Sequence, residues 1–159
     1  MTVARAFACY WGYGACNNFT DRYMAEPSRP RRGQRRGARS RDGARLYAAL
    51  DLGTNNCRLL IAERAASGGL RVVDSYSQIV RLGEGLAKTG ELSEAAMGRA
   101  IEALKRCLDK VKKHKPVDAR YIATQACRAA SNGRAFLNEV NRTVGLRMET
   151  ITPKEEAKY

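Results

Sequence analysis

The sequence predicts one α/β domain that begins near Leu46 and opens with three strands. Three observations lead to this prediction. The 159 residues are enough for one ordinary domain, and their 44% hydrophobic share is normal for a globular protein. Short apolar runs separated by glycine turns fill the first part of the domain. A helical apolar stripe, then alternating strand-like and helix-like segments, fill the rest.

The three opening strands follow one another closely. LYAALDLG, residues 46–53, predicts a short buried strand that ends in a glycine turn. NCRLLIAER, residues 56–64, predicts a second strand whose apolar side chains alternate, and SGG predicts the hairpin turn after it. LRVVDSYSQIVRLG, residues 70–83, predicts the third strand.

The remaining segments alternate between helix and strand. Ser93 predicts the N-cap of a long amphipathic helix, which Pro116 ends. Further along the chain we predict a fourth strand (ARYIATQACR), a second helix (NGRAFLNEVNRTVG), a fifth strand (LRMETITP) and a new helix from Glu155. The order β-β-β-α-β-α-β is typical of a ribonuclease-H-like lobe, with residues 46–159 as its domain.

Residues 1–45 are predicted to be a disordered basic leader. Residues 27–45 hold only two alanines as apolar residues, which is too little to bury surface. Residues 24–45 carry eight arginines against two acids, +6 of the chain's net +13. This charge favours either a polyanion-binding arm or a solubilising leader with no target. Met24 is predicted to be the true translation start, and residues 1–23 are predicted to come from assigning the start codon too far upstream.

The cysteine and histidine content excludes several kinds of site. Five cysteines without a C-x-x-C pair argue against a disulfide framework and against a zinc site, and reduced thiols predict a cytoplasmic protein. His114 is the single histidine and lies in the basic run KVKKHK, where it looks like a solvated helix end. No run approaches 18 apolar residues, so no membrane span is predicted.

The first candidate site is the turn after the first strand. Gly53 lets the backbone turn sharply and present N–H groups. The short polar side chains that can donate to phosphate oxygens are Thr54, Asn55 and Asn56. Asp51 ends a buried strand and is placed to hold Mg²⁺. The alternative interpretation is an ordinary polar hairpin turn, in which Gly and Asn are common.

Two further candidates follow the fourth and fifth strands. Arg128, taken to end the fourth strand, is suited to clamp an anion, and Asn132 is suited to cap the next helix. Glu155 and Glu156 come just after the fifth strand. On residue type alone they are also explained by ordinary acidic residues in the first turn of a helix.

From Leu46 onward the chain resembles the N-terminal lobe of the Ppx/GppA phosphatases. These exopolyphosphatases and guanosine pentaphosphate phosphohydrolases belong to the actin, sugar-kinase and heat-shock ATPase superfamily. The matching stretches, in order, are ALDLGTNNCRLLIA, VRLGEGL, LSEAAMGRAIEAL, IATQACRAASN, FLNEV and ITPKEEA.

The resemblance implies a role for each candidate. Asp51 with Mg²⁺ and the turn Gly53 to Asn56 would form the first phosphate loop. Arg128 would contact substrate phosphate, and Glu156 would be the general base that activates water. The implied activity is release of terminal orthophosphate from inorganic polyphosphate. The alternatives are guanosine pentaphosphate hydrolysis and a non-catalytic module that binds polyphosphate or a nucleotide.

The chain also departs from the family pattern. Family members continue into a second lobe with a glycine-rich loop similar to DIGGGS, and no such loop occurs before Tyr159. Pro153 and Lys154 stand where Ser-Gly-like residues are expected. We therefore expect a truncated lobe that is inactive alone and whose exposed face suggests a homodimer. Specific nucleic-acid binding is disfavoured, because no aromatic residue lies among the leader's arginines.

Overall fold

The computed structural model describes residues 45–65 and 69–151. Its strands are β1 (Leu46–Leu52), β2 (Asn56–Arg64), β3 (Leu70–Ile79), β4 (Asp118–Ala123) and β5 (Glu149–Thr150). Its helices are α1 (Leu86–Thr89), α2 (Glu94–His114), α3 (Gln125–Ala129) and α4 (Gly133–Val144). The predicted leader, apart from Arg45, lies outside the described residues, and so do Ser67 and Gly68 of the hairpin turn.

The five strands form one mixed sheet in the order β3-β2-β1-β4-β5. β1 lies at the centre, where Leu50 pairs with Leu59 of antiparallel β2 and with Tyr121 of parallel β4. β3 extends the antiparallel side, and β5 pairs with β4 in parallel. The predicted α/β lobe is confirmed.

The main core lies between one face of the sheet and α2. β1 and β2 place alternate apolar side chains on this face, and α2 buries a helical stripe against them. Leu104 of α2 is fully buried, which stabilises the fold by about 1.5–3 kcal/mol relative to an exposed leucine. Leu60 and Ala62 of β2 are buried on the opposite face with a smaller cluster.

The caps of α2 agree with the sequence prediction. The Ser93 side chain accepts a hydrogen bond from the Ala96 N–H at 3.3 Å, and Glu94 stands in the positive first turn. Lys115 ends the helix in a left-handed conformation, one residue before Pro116.

The fourth strand differs from its prediction, because it ends at Ala123. Residues from Gln125 to Ala129 form α3 instead, so Arg128 lies on a helix and not at a strand end. Ala, Gln and Arg favour helix over strand, which accounts for the change. The fifth strand is also shorter than predicted, and α1 was not predicted.

Strand direction determines where the candidate site lies. β1, β4 and β5 are parallel to one another, and their carboxyl ends are Leu52, Ala123 and Thr150. All three ends therefore lie at the same edge of the sheet, where α/β proteins commonly bind ligands. We call this edge the carboxyl edge.

Candidate phosphate-binding site

The turn after β1 is built on a close approach of backbone to backbone. The Gly53 N–H donates to the Asn56 carbonyl at 2.9 Å, and a Cβ at position 53 would lie 3.3 Å from that oxygen. Gly53 does not have a positive φ, so the turn needs glycine for space and not for a left-handed conformation. Asn55 is exposed at the tip of the turn, and Thr54 is half-buried.

The segment 80–83, directly after β3, holds this turn in place. The N–H groups of Val80 and Arg81 donate to the Asn55 carbonyl at 2.8 and 3.0 Å, and the Gly83 N–H donates to the Thr54 carbonyl at 3.0 Å. These bonds occupy the carbonyl oxygens of the turn. The turn itself lies at the carboxyl edge, because it follows β1 directly.

Asp51 and Thr124 flank Gly53 at the ends of β1 and β4. A Cβ on Gly53 would lie 3.9 Å from Asp51 Oδ2 and 3.8 Å from Thr124 Oγ1, so the two side chains come close to the same point. Thr124 is only 5% exposed, and both its N–H and its hydroxyl donate to the Leu52 carbonyl, at 3.0 and 3.3 Å. Thr124 is a component of the edge that the sequence analysis did not single out.

The side chains beside Gly53 suit a magnesium ion better than a softer metal, because their donor atoms are oxygens. Asp51 brings a carboxylate, and Mg²⁺ typically takes one or two protein carboxylates together with water and substrate phosphate. No group of three His, Cys, Asp or Glu side chains forms a metal centre within residues 45–65 and 69–151. The use of Mg²⁺ stays a prediction, in which Asp51 would be the residue that holds the ion.

Arg128 reaches the carboxyl edge from α3. Its Nη1 donates to the Ile151 carbonyl, immediately after β5, so the guanidinium connects α3 to the chain that follows β5. A guanidinium carries five N–H donors, so this bond is compatible with a further contact to an oxyanion. Glu155 and Glu156 follow β5 but lie outside the described residues, and the role of Glu156 stays a prediction.

One glycine and one asparagine shape the segment after α3. A Cβ on Gly133 would lie 1.9 Å from the Cys127 carbonyl oxygen, so no other residue fits there. Asn132 occupies the N-cap position of α4, as predicted, but its side chain makes no capping hydrogen bond there. Its amide accepts from the Leu92 N–H and donates to the Leu92 carbonyl, both at 2.9 Å, and ties α4 to the start of α2.

The thiols of the described residues are buried and poor nucleophiles. Cys57 and Cys107 are fully buried with their sulfurs 3.9 Å apart, and their mutual hydrogen bond and their burial raise the pKa of Cys57. Burial raises the pKa of Cys127 to about 12. All three are free thiols.

The single histidine is not a solvated helix end. His114 is 19% exposed, and its Nε2 lies 2.9 Å from Asp74 Oδ2, while Lys110 Nζ donates to the same carboxylate at 2.8 Å. Partial burial opposes ionisation of Asp74, but the hydrogen bonds from these two bases hold its pKa below the ordinary value. The cluster joins α2 to β3.

Comparisons with known proteins place the chain in a family. A sequence model of the Ppx/GppA phosphatase family matches residues 60–159. A guanosine-5'-triphosphate,3'-diphosphate pyrophosphatase of Aeromonas hydrophila is 36% identical over 113 residues, which are 71% of this chain and 23% of the relative.

Solved structures show the same fold. The Aquifex aeolicus member of the Ppx/GppA family is 33% identical with a TM-score of 0.66, over 70% of this chain and 36% of that one. An exopolyphosphatase from Cytophaga hutchinsonii is 27% identical with a TM-score of 0.67, over 72% of this chain and 36% of that one. The fold is a lobe of the actin-like ATPase type.

The mixed sheet, with a polar turn at its carboxyl edge, forms an actin-like lobe. The chain belongs to the Ppx/GppA phosphatase family. It spans about a quarter of the length of the curated relatives that it matches. Among the described residues, no helix is both long and apolar enough to cross a bilayer.

Proposed function

We propose that this lobe forms the phosphate-binding part of an exopolyphosphatase, which releases terminal orthophosphate from inorganic polyphosphate. One observation supports this most directly. Asp51 and the turn from Gly53 to Asn56, which we call the phosphate turn, lie at the carboxyl end of β1, and Arg128 bonds the chain just after β5, so separate parts of the chain bring polar groups to the carboxyl edge. Together they supply a carboxylate, short polar groups and a guanidinium, which suit a phosphate accompanied by a cation.

Each residue has a distinct proposed task. The side chains of Thr54, Asn55 and Asn56 donate to phosphate oxygens, and Arg128 contacts the transferred phosphoryl group. Asp51 holds Mg²⁺, which supplies charge neutralisation at the phosphate. Hydrolysis of a phosphoanhydride depends mainly on positioning and electrostatic stabilisation, so these contacts account for most of what the lobe contributes.

Glu156 is proposed as the general base for the attacking water. A carboxylate with an ordinary pKa is a weak base at pH 7, so its placement in the folded site has to compensate. Glu156 follows β5 in the sequence, and the carboxyl end of β5 lies at the carboxyl edge.

Guanosine pentaphosphate is the second candidate substrate. The observation in its favour is the name of the Aeromonas relative, a guanosine-5'-triphosphate,3'-diphosphate pyrophosphatase. Both substrates end in a phosphoanhydride, so the phosphate turn does not distinguish them. A direct comparison of orthophosphate release from the two substrates, with the full chain and Mg²⁺, decides between them.

Binding is the first experiment, because the chain spans only part of its relatives' length. Calorimetric titration with tripolyphosphate and Mg²⁺ compares the wild type with Arg128→Met and with Arg147→Met. Arg147 is an exposed arginine before β5, on the side away from the carboxyl edge. We expect Arg128→Met to weaken binding about tenfold or more and Arg147→Met to change it less than about twofold. Equal losses in both variants would refute the proposed site.

Hydrolysis provides the second experiment. In a preparation that turns over, Glu156→Gln should abolish orthophosphate release and leave tripolyphosphate affinity unchanged. Loss of binding together with turnover would contradict the role of Glu156 as a base.

A further inference from the structure

The backbone of Arg81 is unusual for its residue type. Its φ is 47°, in the left-handed region, which only Arg81 and Lys115 occupy among the described non-glycine residues. Lys115 is explained by its position at the end of α2, where left-handed caps are common. Arg81 lies between β3 and α1, at no helix end. Such a conformation persists only where the surrounding contacts impose it, and it is often found at functional sites.

The contacts that impose this conformation come from α2 and from the phosphate turn. The Arg81 N–H donates to the Asn55 carbonyl, and its own carbonyl accepts from the Glu84 N–H at 3.0 Å. Arg99 of α2 donates through Nε to the Val80 carbonyl at 2.9 Å and through Nη2 to Glu84 Oε2 at 2.7 Å. The backbone of Arg81 is therefore fixed on both sides, directly beside the turn.

The side chain of Arg81 is exposed, and it makes no ion pair or hydrogen bond with any residue in the part of the chain that the structure describes. The nearby carboxylate of Glu84 is already engaged by Arg99. A fixed backbone with an uncommitted guanidinium favours recognition of an external anion, since guanidinium groups bind two phosphate oxygens at once.

Strand order separates Arg81 from Arg128. Arg81 follows β3 and bonds the turn from the β3 side, whereas Arg128 follows β4 on the other side of β1. In strand order the two arginines thus lie on opposite sides of the turn. A chain of phosphates crossing the turn would meet one arginine at each side.

We propose that Arg81 forms a second anion subsite, which binds the phosphate next to the terminal one in a phosphate chain. This inference rests on the proposed function, because it takes the terminal phosphate to lie between the turn and Arg128. The subsite makes the lobe selective for chains of two or more phosphates over orthophosphate.

The test uses the full chain and two probes, tripolyphosphate and orthophosphate, each titrated with Mg²⁺. Arg81→Gly removes the guanidinium and tolerates the left-handed backbone, so the variant should fold with an unchanged or higher Tm. Lys115→Gly is the matched control. It also removes one exposed cation from a left-handed position, at the opposite end of the sheet.

We expect Arg81→Gly to weaken tripolyphosphate binding about tenfold and orthophosphate binding less than about twofold. Lys115→Gly should leave both affinities within about twofold. Unchanged tripolyphosphate affinity in Arg81→Gly would overturn the inference, and so would an equal loss for both probes. If Arg128→Met weakens binding while Arg81→Gly does not, only the second subsite fails. A wild-type chain that binds neither probe would refute the proposed function as well.

Discussion

Substitution of Gly83 by alanine tests whether the segment 80–83 sets the shape of the phosphate turn. A Cβ at position 83 would lie 2.4 Å from Thr54 Cγ2, and 3.7 Å from the Cβ of the same threonine. Gly83 has no positive φ, so alanine brings no backbone strain of its own. The effect of the substitution is therefore a steric conflict with one side chain of the turn.

The size of the conflict gives the expected magnitude. Carbon atoms in contact are normally about 3.5–4.0 Å apart, so Thr54 or the segment must move by more than about 1 Å. The segment resists, because the Gly83 N–H donates to the Thr54 carbonyl at 3.0 Å. Overpacking costs about 1–3 kcal/mol, and loss of the hydrogen bond adds about 1 kcal/mol. We expect the free energy of unfolding to fall by about 2–4 kcal/mol.

A double-mutant cycle isolates the contact. Urea denaturation is measured for the wild type, Gly83→Ala, Thr54→Ser and the double variant. Serine removes Cγ2 and retains the hydroxyl, so the double variant should recover at least about 1 kcal/mol of the loss caused by Gly83→Ala. Tripolyphosphate affinity should follow the same order, because the displaced side chain belongs to the turn.

Additive effects in this cycle would refute the reasoning. If Gly83→Ala destabilises the Thr54→Ser background as much as the wild type, the conflict does not involve Thr54. Retained affinity in a strongly destabilised Gly83→Ala protein would show that the turn keeps its shape without the segment.

Other predictions concern the rest of the lobe. Gly133→Ala places a Cβ 1.9 Å from the Cys127 carbonyl oxygen, which belongs to the backbone and cannot rotate away, so circular dichroism should show loss of the folded state at ambient temperature. Gly98→Ala, in open space within α2, should instead stabilise the protein by about 1 kcal/mol in urea denaturation, and destabilisation there would contradict the helix assignment. Asp74→Asn should cost about 1–2 kcal/mol at pH 7, because it weakens the links to two bases of α2. The pKa of Asp74 is lowered in the folded state. The stability that the Asp74 carboxylate contributes is therefore complete above its unfolded-state pKa of about 4, and it is lost as the pH falls through the lower folded-state pKa. The difference between wild type and Asp74→Asn should shrink below about pH 4, and a constant difference would exclude the carboxylate as its source.

Much of the lobe could be predicted from the sequence, because the relevant signals are local. Alternating apolar residues along β2 and the helical stripe of α2 indicated which faces are buried. Ser93 and Pro116 marked the limits of α2 through capping and through the missing N–H of proline. The turn from Gly53 to Asn56 was predicted because glycine and short polar residues follow a strand directly.

Other features depended on contacts between residues far apart in the chain. Asn132 is of a residue type that often caps helices. Its side-chain amide instead hydrogen-bonds the backbone of Leu92, 40 residues earlier, because the fold brings that backbone within reach. The segment of Arg128 was compatible with strand or helix from its sequence, and packing of Ala126 and Cys127 into the core accompanies the helix.

The sequence by itself determined which residue types are at the candidate site and most of the strands and helices that carry them. The tertiary structure decided which of these residues contact or hydrogen-bond one another. In the sequence, nothing marks Gly83 of VRLGEGL as sterically constrained. In the fold, the Thr54 side chain occupies the space that a Cβ at position 83 would need. Local patterns report burial and capping, whereas the space around a residue depends on which distant segments the sheet brings beside it.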